Sequence, residues 1–158
     1  MKKVLIVDDQ YTNIILLREC LNAESIECEY VNKGLDAINI LKIKTFDLIL
    51  LDVMMPDMNG FETCKIIKQI PEANQIPIIF ITARVDRTSI VTALESGGVD
   101  YIQKPFVFKE LIARVNIHLE LSESKKKLMQ ELKEKEAIEK KLRYSESILK
   151  QSSLLHLI

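Results

Sequence analysis

The 158-residue sequence predicts an α/β protein, a doubly wound five-stranded parallel sheet followed by a long C-terminal helical extension. Two observations predict the sheet: short apolar runs alternate with amphipathic stretches, and three of the runs are apolar almost throughout. Alternation of this kind indicates βαβ units, and strands buried on both faces lose the polar alternation of a half-exposed strand. A third observation, a change of composition after about residue 119, predicts the extension.

The predicted strands are five short runs separated by helical patterns. Strands joined by helices pair in parallel through right-handed crossovers, and we expect a flavodoxin-like sheet of order 2-1-3-4-5. In that order the second strand lies at the margin of the sheet. The five runs are Lys3–Val7, Ile26–Val31, Asp47–Leu51, Ile76–Ile81 and Val99–Ile102.

Five helical patterns follow the strands. In the first, Ile14, Leu17 and Leu21 recur at helical spacing, and Thr12 or Asn13 is placed to cap the helix. The fifth pattern continues into the extension without a break, which predicts one continuous helix. The first four cover about residues 12–23, 34–43, 60–69 and 87–96, and the fifth begins near residue 107.

The extension has a different composition from the rest of the chain. Between Glu120 and Gln151 there are seven Glu and nine Lys or Arg, with no Gly and no Pro. Regularly placed leucines favour an imperfect two-stranded coiled coil, hence a homodimer, over a solvated single helix, because a long isolated helix needs a partner to bury its leucines. We therefore predict a first domain over residues 1–119 and a helical, coiled-coil extension or linker over 120–158.

The overall composition excludes several classes of protein. With 22 basic and 23 acidic residues the formal net charge is −1, which argues against direct contact with nucleic acid. No apolar stretch approaches the roughly 20 residues needed to cross a bilayer, and the N-terminal apolar run is too short for a signal peptide. We expect a cytoplasmic protein without membrane insertion, in which the three cysteines are reduced thiols.

Polar side chains follow the predicted strands at their carboxyl ends, where doubly wound sheets bind their ligands. Asp8 and Asp9 follow the first run, and Asp52 follows the third. Thr82 follows the fourth run, and Lys104 follows the fifth. Three carboxylates, a hydroxyl and an ammonium group from four strands are thus predicted to meet at one edge.

These residue types suit phosphoryl chemistry. Three neighbouring carboxylates repel one another unless a cation neutralises them, and ligands that are all oxygen favour Mg²⁺. Lys104 and Thr82 offer a positive charge and a hydrogen-bond donor to phosphoryl oxygens. Asp52 lies between them and is placed to attack phosphorus, which would give an acyl phosphate.

Four segments together resemble the receiver domain of two-component response regulators. They are VLIVDD at 4–9, LILLDVMMPDMNGFE at 48–62, FITA at 80–83 and DYIQKPF at 100–106. The resemblance covers about residues 1–120. It implies a phosphorylation-controlled signalling module that receives its phosphoryl group from a histidine kinase or phosphotransfer protein and has no separate turnover activity.

The resemblance also assigns roles to individual residues. It implies that Asp52 is the phosphoacceptor, that Asp9 and Asp52 ligate Mg²⁺ directly, and that Asp8 acts largely through water. The backbone carbonyl of Met54 is implied as a further metal ligand. An apolar side chain at this position would not orient an attacking water, which predicts a moderate to long-lived phosphoryl state. The resemblance implies that Arg84, two residues after the threonine, is a second position that modulates this lifetime.

Further implied roles concern the switch. Lys104 and Thr82 are expected to grip the phosphoryl group, and the Lys104–Pro105 peptide is expected to be cis. Thr82 moves toward the phosphoryl group and Tyr101 turns inward behind it. The face made by the fourth helix, fifth strand and fifth helix then changes shape and transmits the signal to the C-terminal helix.

Three alternatives remain open at the level of sequence. An aspartyl-nucleophile phosphatase would carry a second acid two residues after its nucleophile, where this chain has Met54. A nucleotide-binding domain would show a GxGxxG or GxxxxGK[ST] loop, and neither motif occurs. A receiver-like dimerisation scaffold would not need the acids, the threonine and the lysine together.

His118 lacks a phosphotransfer pattern and is interpreted as an ordinary helix histidine.

Overall fold

The computed structural model describes residues 1–84 and 86–156, so Leu157 and Ile158 of the predicted extension lie outside the described residues. Across the described ranges five strands alternate with five helices, which confirms the predicted fold class. The strands are β1 (Lys3–Val7), β2 (Glu27–Val31), β3 (Leu48–Leu51), β4 (Ile78–Thr82) and β5 (Asp100–Gln103). The helices are α1 (Tyr11–Asn22), α2 (Gly34–Leu41), α3 (Gly60–Ile67), α4 (Arg87–Glu95) and α5 (Phe108–Leu155).

The five strands form one parallel sheet in the predicted order, β2-β1-β3-β4-β5. Val7 pairs with Leu51, so β1 and β3 end at the same level. Leu51 pairs in turn with Phe80, and Thr82 pairs with Gln103. This register brings the residues that follow β1, β3 and β5 to the same edge of the sheet as the end of β4.

Two apolar layers cover the sheet, one on each face. Alternate residues of a strand point to opposite faces, so Val4 and Ile6 enter one layer while Leu5 and Val7 enter the other. The first layer contains the apolar faces of α1 and of the N-terminal part of α5, and the second contains those of α2, α3 and α4. β1, β3 and β4 are almost wholly buried, as their continuous apolar runs predict.

Two local predictions are wrong. The N-cap of α1 is Gln10, whose side chain makes no capping hydrogen bond, rather than Thr12 or Asn13. The carboxylate of Asp8 accepts the N–H of Gln10 at 2.9 Å, so the chain turns into the helix before the predicted cap. Thr82 is the last residue of β4 rather than the residue after it.

Helix α5 begins in the sheet domain, where Leu111, Ile112, Val115 and Leu119 are buried. The chain divides into two compact units, Met1–Ser122 and Glu123–Ile158. In the second unit every side chain from 123 to 156 is exposed. Among the described residues no helix combines the length and apolarity that a membrane span requires.

Candidate functional site

The carboxylates of Asp8, Asp9 and Asp52 meet at the carboxyl edge of the sheet. One oxygen from each lies within 4.8 Å of the others. Asp8 and Asp52 are buried, with 2% and 6% of their surface exposed, whereas Asp9 is exposed. The main chain fixes the position of both buried acids, because the N–H of Asp52 donates to the carbonyl of Val7 and the N–H of Asp8 donates to the carbonyl of Val31, each in a neighbouring strand.

Lys104 lies against this acid cluster. Its Nζ is 2.8 Å from Asp8 Oδ2 and 3.3 Å from Asp52 Oδ2, and its side chain is mostly buried. Its backbone N–H donates to the carbonyl of Thr82 at 2.8 Å, which continues the β4–β5 ladder beyond β5. The Lys104–Pro105 peptide is cis, as expected. The ammonium group therefore reaches the acids from a main chain that is hydrogen-bonded to β4.

The charges of the cluster are not balanced by its own side chains. One ammonium group faces three carboxylates, and the pKa of Asp52 is raised, first by burial and also by the carboxylate of Asp8. Lys104 and the N–H of Met54 lower the pKa of Asp52, but they do not cancel the effects that raise it. A small divalent cation with a preference for oxygen ligands fits this surplus of negative charge and this donor set.

The loop between β3 and α3 shapes the surroundings of Asp52. The N–H of Met54 donates to Asp52 Oδ1 at 3.2 Å, and the N–H of Gly60 donates to the carbonyl of Val53 at 2.9 Å. A Cβ atom at Gly60 would overlap the carbonyl oxygen of Asp52, so only glycine lets α3 start this close to the strand end. Asn59 caps α3 by accepting the N–H of Glu62.

Met54 lines two cavities that the described residues form at this edge. The smaller cavity, of about 180 Å³, opens toward Asp52 and Lys104. The larger, of about 360 Å³, lies over Asp9. The smaller cavity is lined by Gln10, Asn13, Asp52, Met54, Ala83 and Lys104. The larger is lined by Asp9, Val53, Met54, Met55, Pro56, Asn59 and Arg84.

Thr82 and Tyr101 lie outside the acid cluster. Thr82 is fully buried, and its hydroxyl accepts the N–H of Arg84 at 3.2 Å. Tyr101 packs against the apolar layer beneath α2, α3 and α4. Its hydroxyl oxygen is buried and has no hydrogen-bond partner among the described residues. The structure thus brings together Asp8, Asp9, Asp52 and Lys104, places Thr82 at the same sheet edge and keeps Tyr101 apart from the acids.

Sequence reasoning missed two groups at this end of the sheet. Gln10 and Asn13 line the cavity beside Asp52, and their side chains are joined by a 3.1 Å hydrogen bond. Asp86 lies 3.6 Å from Arg84 and caps α4. The first group could have been found from its position in the turn after the acidic pair. The capping role of Asp86 could have been found from its position directly before the predicted fourth helix, but its contact with Arg84 could not.

The pattern that defines the response regulator receiver domain matches residues 4–116, and the chain therefore belongs to the receiver domain family of two-component response regulators. Proteins of this class act in phosphorelay signal transduction. The predicted family is confirmed.

The relatives extend beyond the part that they share with this chain. The transcriptional regulatory protein SpaR of Bacillus subtilis is 43% identical over 122 residues, which are 75% of this chain and 52% of SpaR. The DNA-binding response regulator MtrA of Mycolicibacterium paratuberculosis is 36% identical over 118 residues, 75% of this chain and 51% of MtrA. The chain thus spans about half the length of the curated relatives it matches.

Solved structures agree with this assignment. The signal receiver domain of a signal transduction histidine kinase from Syntrophus aciditrophicus superposes with a TM-score of 0.71 at 33% identity, covering 76% of this chain and 91% of that one. A two-component response regulator from Clostridium difficile gives a TM-score of 0.71 at 31% identity, covering 76% and 97%.

Proposed function

We propose that this receiver domain takes a phosphoryl group onto Asp52 from the phosphohistidine of a kinase or phosphotransfer protein. The observation that carries the proposal is the buried cluster of Asp8, Asp52 and Lys104, open to a cavity on the side of Asp52 and Lys104. Asp52 has both a lysine ammonium at 3.3 Å and an opening to solvent.

The transfer conserves atoms and electrons. A carboxylate oxygen of Asp52 forms a bond to phosphorus while the P–N bond to the donor imidazole breaks, and the imidazole leaves with the electron pair. Lys104 and Thr82 stabilise the charge on the phosphoryl oxygens by an ammonium group and a hydroxyl donor. Because Lys104 already bonds to Asp52, it needs little movement to reach a group attached there.

Asp8, Asp9 and Asp52, with the backbone carbonyl of Met54, are the groups proposed to hold Mg²⁺. When bound, the ion supplies the positive charge that lets phosphoryl oxygens approach three carboxylates. The exposed Asp9 is open to a hydrated ion, whereas Asp8 already accepts the N–H of Gln10 and the ammonium of Lys104. That difference supports direct ligation by Asp9 and a largely water-mediated role for Asp8.

The signal is proposed to leave the site through Thr82 and Tyr101. The phosphoryl group attracts the Thr82 hydroxyl, and Tyr101 responds in the space behind it. Tyr101 belongs to β5, and Thr82 pairs with Gln103 of the same strand. The buried hydroxyl of Tyr101, which has no hydrogen-bond partner within residues 1–84 and 86–156, supports this role, because such a group gains a hydrogen bond from a modest rearrangement.

The C-terminal part of α5 is proposed to form a dimeric coiled coil that reports the phosphorylation state. Exposed leucines at intervals of seven or fourteen residues support it, and they include Leu121, Leu128, Leu142 and Leu149. We propose that the chain divides into a receiver domain over residues 1–119 and a helical extension over residues 120–158. The full-length relatives named for DNA binding continue beyond the matched region, and their output is not assigned to these 158 residues.

Incubation of the full chain with acetyl phosphate and Mg²⁺, followed by intact mass measurement, tests the proposal. We expect one phosphoryl adduct, which requires Mg²⁺ and is lost in Asp52→Asn. An adduct that forms equally in the presence of a chelator, or that persists in the variant, would refute the assignment of the site. Because Met54 is apolar, we expect the adduct to decay slowly enough for purification before the measurement.

A further inference from the structure

The side chain of Arg84 joins the candidate site to the start of α4. The residue lines the larger cavity together with Asp9 and Met54. Its Nε lies 3.6 Å from Asp86 Oδ2. The other oxygen of Asp86, Oδ1, accepts the N–H of Ser89 at 2.6 Å and so caps α4. One carboxylate therefore serves both the guanidinium group of a residue that lines the cavity and the first turn of the helix.

The main chain of Arg84 is joined to the same site by a separate bond. The Thr82 hydroxyl accepts the N–H of Arg84 at 3.2 Å. A hydroxyl that accepts one hydrogen bond still has its own proton to donate. A phosphoryl oxygen bonded to Thr82 would thus be linked, through that hydroxyl, to the backbone of Arg84.

The ion pair between Arg84 and Asp86 is weak enough to exchange. Both side chains are more than half exposed, and solvent screening limits such pairs to about a fivefold effect on an equilibrium. A phosphoryl group carries up to about two negative charges and three acceptor oxygens, and guanidinium binds such groups through two parallel hydrogen bonds. A phosphoryl group is therefore a stronger anionic partner for a guanidinium group than the exposed carboxylate of Asp86.

We propose that Arg84 leaves Asp86 and binds the phosphoryl group on Asp52, which makes it a phosphoryl-binding residue that links the site to the N-terminus of α4. The inference rests on the proposed function, because it requires a phosphoryl group at Asp52. Once Arg84 has moved, Asp86 Oδ2 is an anionic acceptor without its guanidinium partner.

Tyr101 is the next residue that this exchange would affect. Burial raises the pKa of the Tyr101 hydroxyl, the nearby Asp86 carboxylate raises it further, and Arg84 opposes them. The hydroxyl therefore lies within electrostatic reach of both members of the ion pair. It is also a buried donor with no partner among the residues described. Departure of Arg84 would leave the Asp86 carboxylate, at the start of α4, as an acceptor for this donor on β5.

Binding of beryllofluoride, a phosphoryl mimic that attaches to an aspartate carboxylate, tests the exchange in the full chain with Mg²⁺ by calorimetry. Asp86→Asn removes the charge that holds Arg84 and keeps the cap, because asparagine caps helices as well as aspartate does. We expect this variant to bind about threefold more tightly and Arg84→Gln about tenfold more weakly. In the double variant Asp86→Asn should have no further effect, because there is no guanidinium to release.

Arg87→Gln is the matched control, because Arg87 is an exposed arginine at the first position of α4. We expect its affinity to stay within about twofold of the parent. The exchange is wrong if Arg84→Gln behaves like Arg87→Gln, or if Asp86→Asn tightens binding equally when Arg84 is absent. Absence of binding to the parent, or equal binding to Asp52→Asn, would overturn the proposed function instead and this inference with it.

Discussion

At the scale of single residues, the site combines burial with an excess of negative charge. Asp8 and Asp52 are buried beside one lysine, and Asp9 adds a third carboxylate at the surface. The raised pKa of Asp52 records the cost of this arrangement, to which burial contributes most. The donor set of this site suits a divalent cation, and we propose that Lys104 affects the binding of both this cation and the phosphoryl group.

Replacing Lys104 should therefore change metal binding and phosphorylation in opposite directions. Lys104→Met removes the ammonium that competes with Mg²⁺ for the acids, so we expect the affinity for Mg²⁺ to rise about threefold. The same change removes a positive charge from the phosphoryl oxygens, and we expect adduct formation from acetyl phosphate to slow by about 100-fold. Calorimetric titration with Mg²⁺ and timed intact mass measurement provide the two values; a parallel fall in both would contradict this role.

The residues of the site could be predicted because of one rule about parallel sheets. Each of Asp8, Asp52 and Lys104 follows a strand, and the register places the ends of those strands side by side. The pairing of Arg84 with Asp86 could not be predicted, because it depends on the conformation of a loop and not on a periodic pattern. The N-cap of α1 was mispredicted for a similar reason, since the carboxylate of Asp8 turns the chain earlier than Thr12 or Asn13.

At the scale of secondary-structure elements, α5 is fastened to β5 through Asp100. Asp100 Oδ1 accepts from Arg114 Nη1 at 2.8 Å, and Oδ2 lies 2.9 Å from His118 Nε2. The two partners lie four residues apart on α5 and so share one face of the helix. His118, interpreted from the sequence as an ordinary helix histidine, thus has a specific structural partner. Its spacing from Arg114 is visible in the sequence, but its pairing with Asp100 is not.

This contact should make the stability of the sheet domain depend on pH. Burial acts to raise the pKa of Asp100, but hydrogen bonds from His118, the N–H of Tyr101 and Arg114 outweigh it and lower the pKa below 3.8. The ionised group therefore stabilises the fold above about pH 4, and this stabilisation is lost as the pH falls through the lowered pKa. We expect Asp100→Asn to cost about 2 kcal/mol at pH 6 and progressively less below pH 4.

Urea unfolding monitored by circular dichroism between pH 2.5 and 6 measures this difference. Glu24→Gln, which neutralises an exposed carboxylate, serves as the control and should stay within about 0.5 kcal/mol of the parent throughout. A cost of Asp100→Asn that is the same at both ends of the pH range would show that the ionised carboxylate is not what stabilises the contact.

How well the sequence predicts each strand and helix depends on how that element is buried. β1, β3 and β4 are buried on both faces, so their apolar runs mark them clearly. β2 lies at the margin with a partly exposed pattern, and β5 is only partly apolar. Helix α4 buries mainly small residues, Ser89 and Ala93, and exposes larger apolar ones, so its pattern gives little indication of which side faces the core.

At the scale of the whole molecule, the prediction that can be tested is dimerisation through the C-terminal helix. We expect the full chain to sediment as a dimer, because Leu128 and Leu142 are exposed on one face of a helix with few other apolar contacts. Leu128→Glu and Leu142→Glu should each shift the equilibrium to monomer by at least about tenfold, measured by sedimentation equilibrium.

Tyr144→Glu provides the matched control. Tyr144 is as exposed as the leucines but lies about 200° around the helix from Leu142, so it should leave the dimer intact. A parent chain that stays monomeric at all concentrations, or a dimer equally sensitive to Tyr144→Glu, would contradict a seam formed by the leucines.

The central claim, that Asp52 receives the phosphoryl group, is tested most directly by chemical mapping of the modified carboxylate. Borohydride reduces an acyl phosphate to an alcohol, so the phosphorylated aspartate becomes homoserine and is located by peptide mass spectrometry. After treatment with acetyl phosphate and Mg²⁺, we predict homoserine at position 52 and at no other aspartate. Homoserine at position 8 or 9, or its absence from a protein that carries a phosphoryl adduct, would contradict the account.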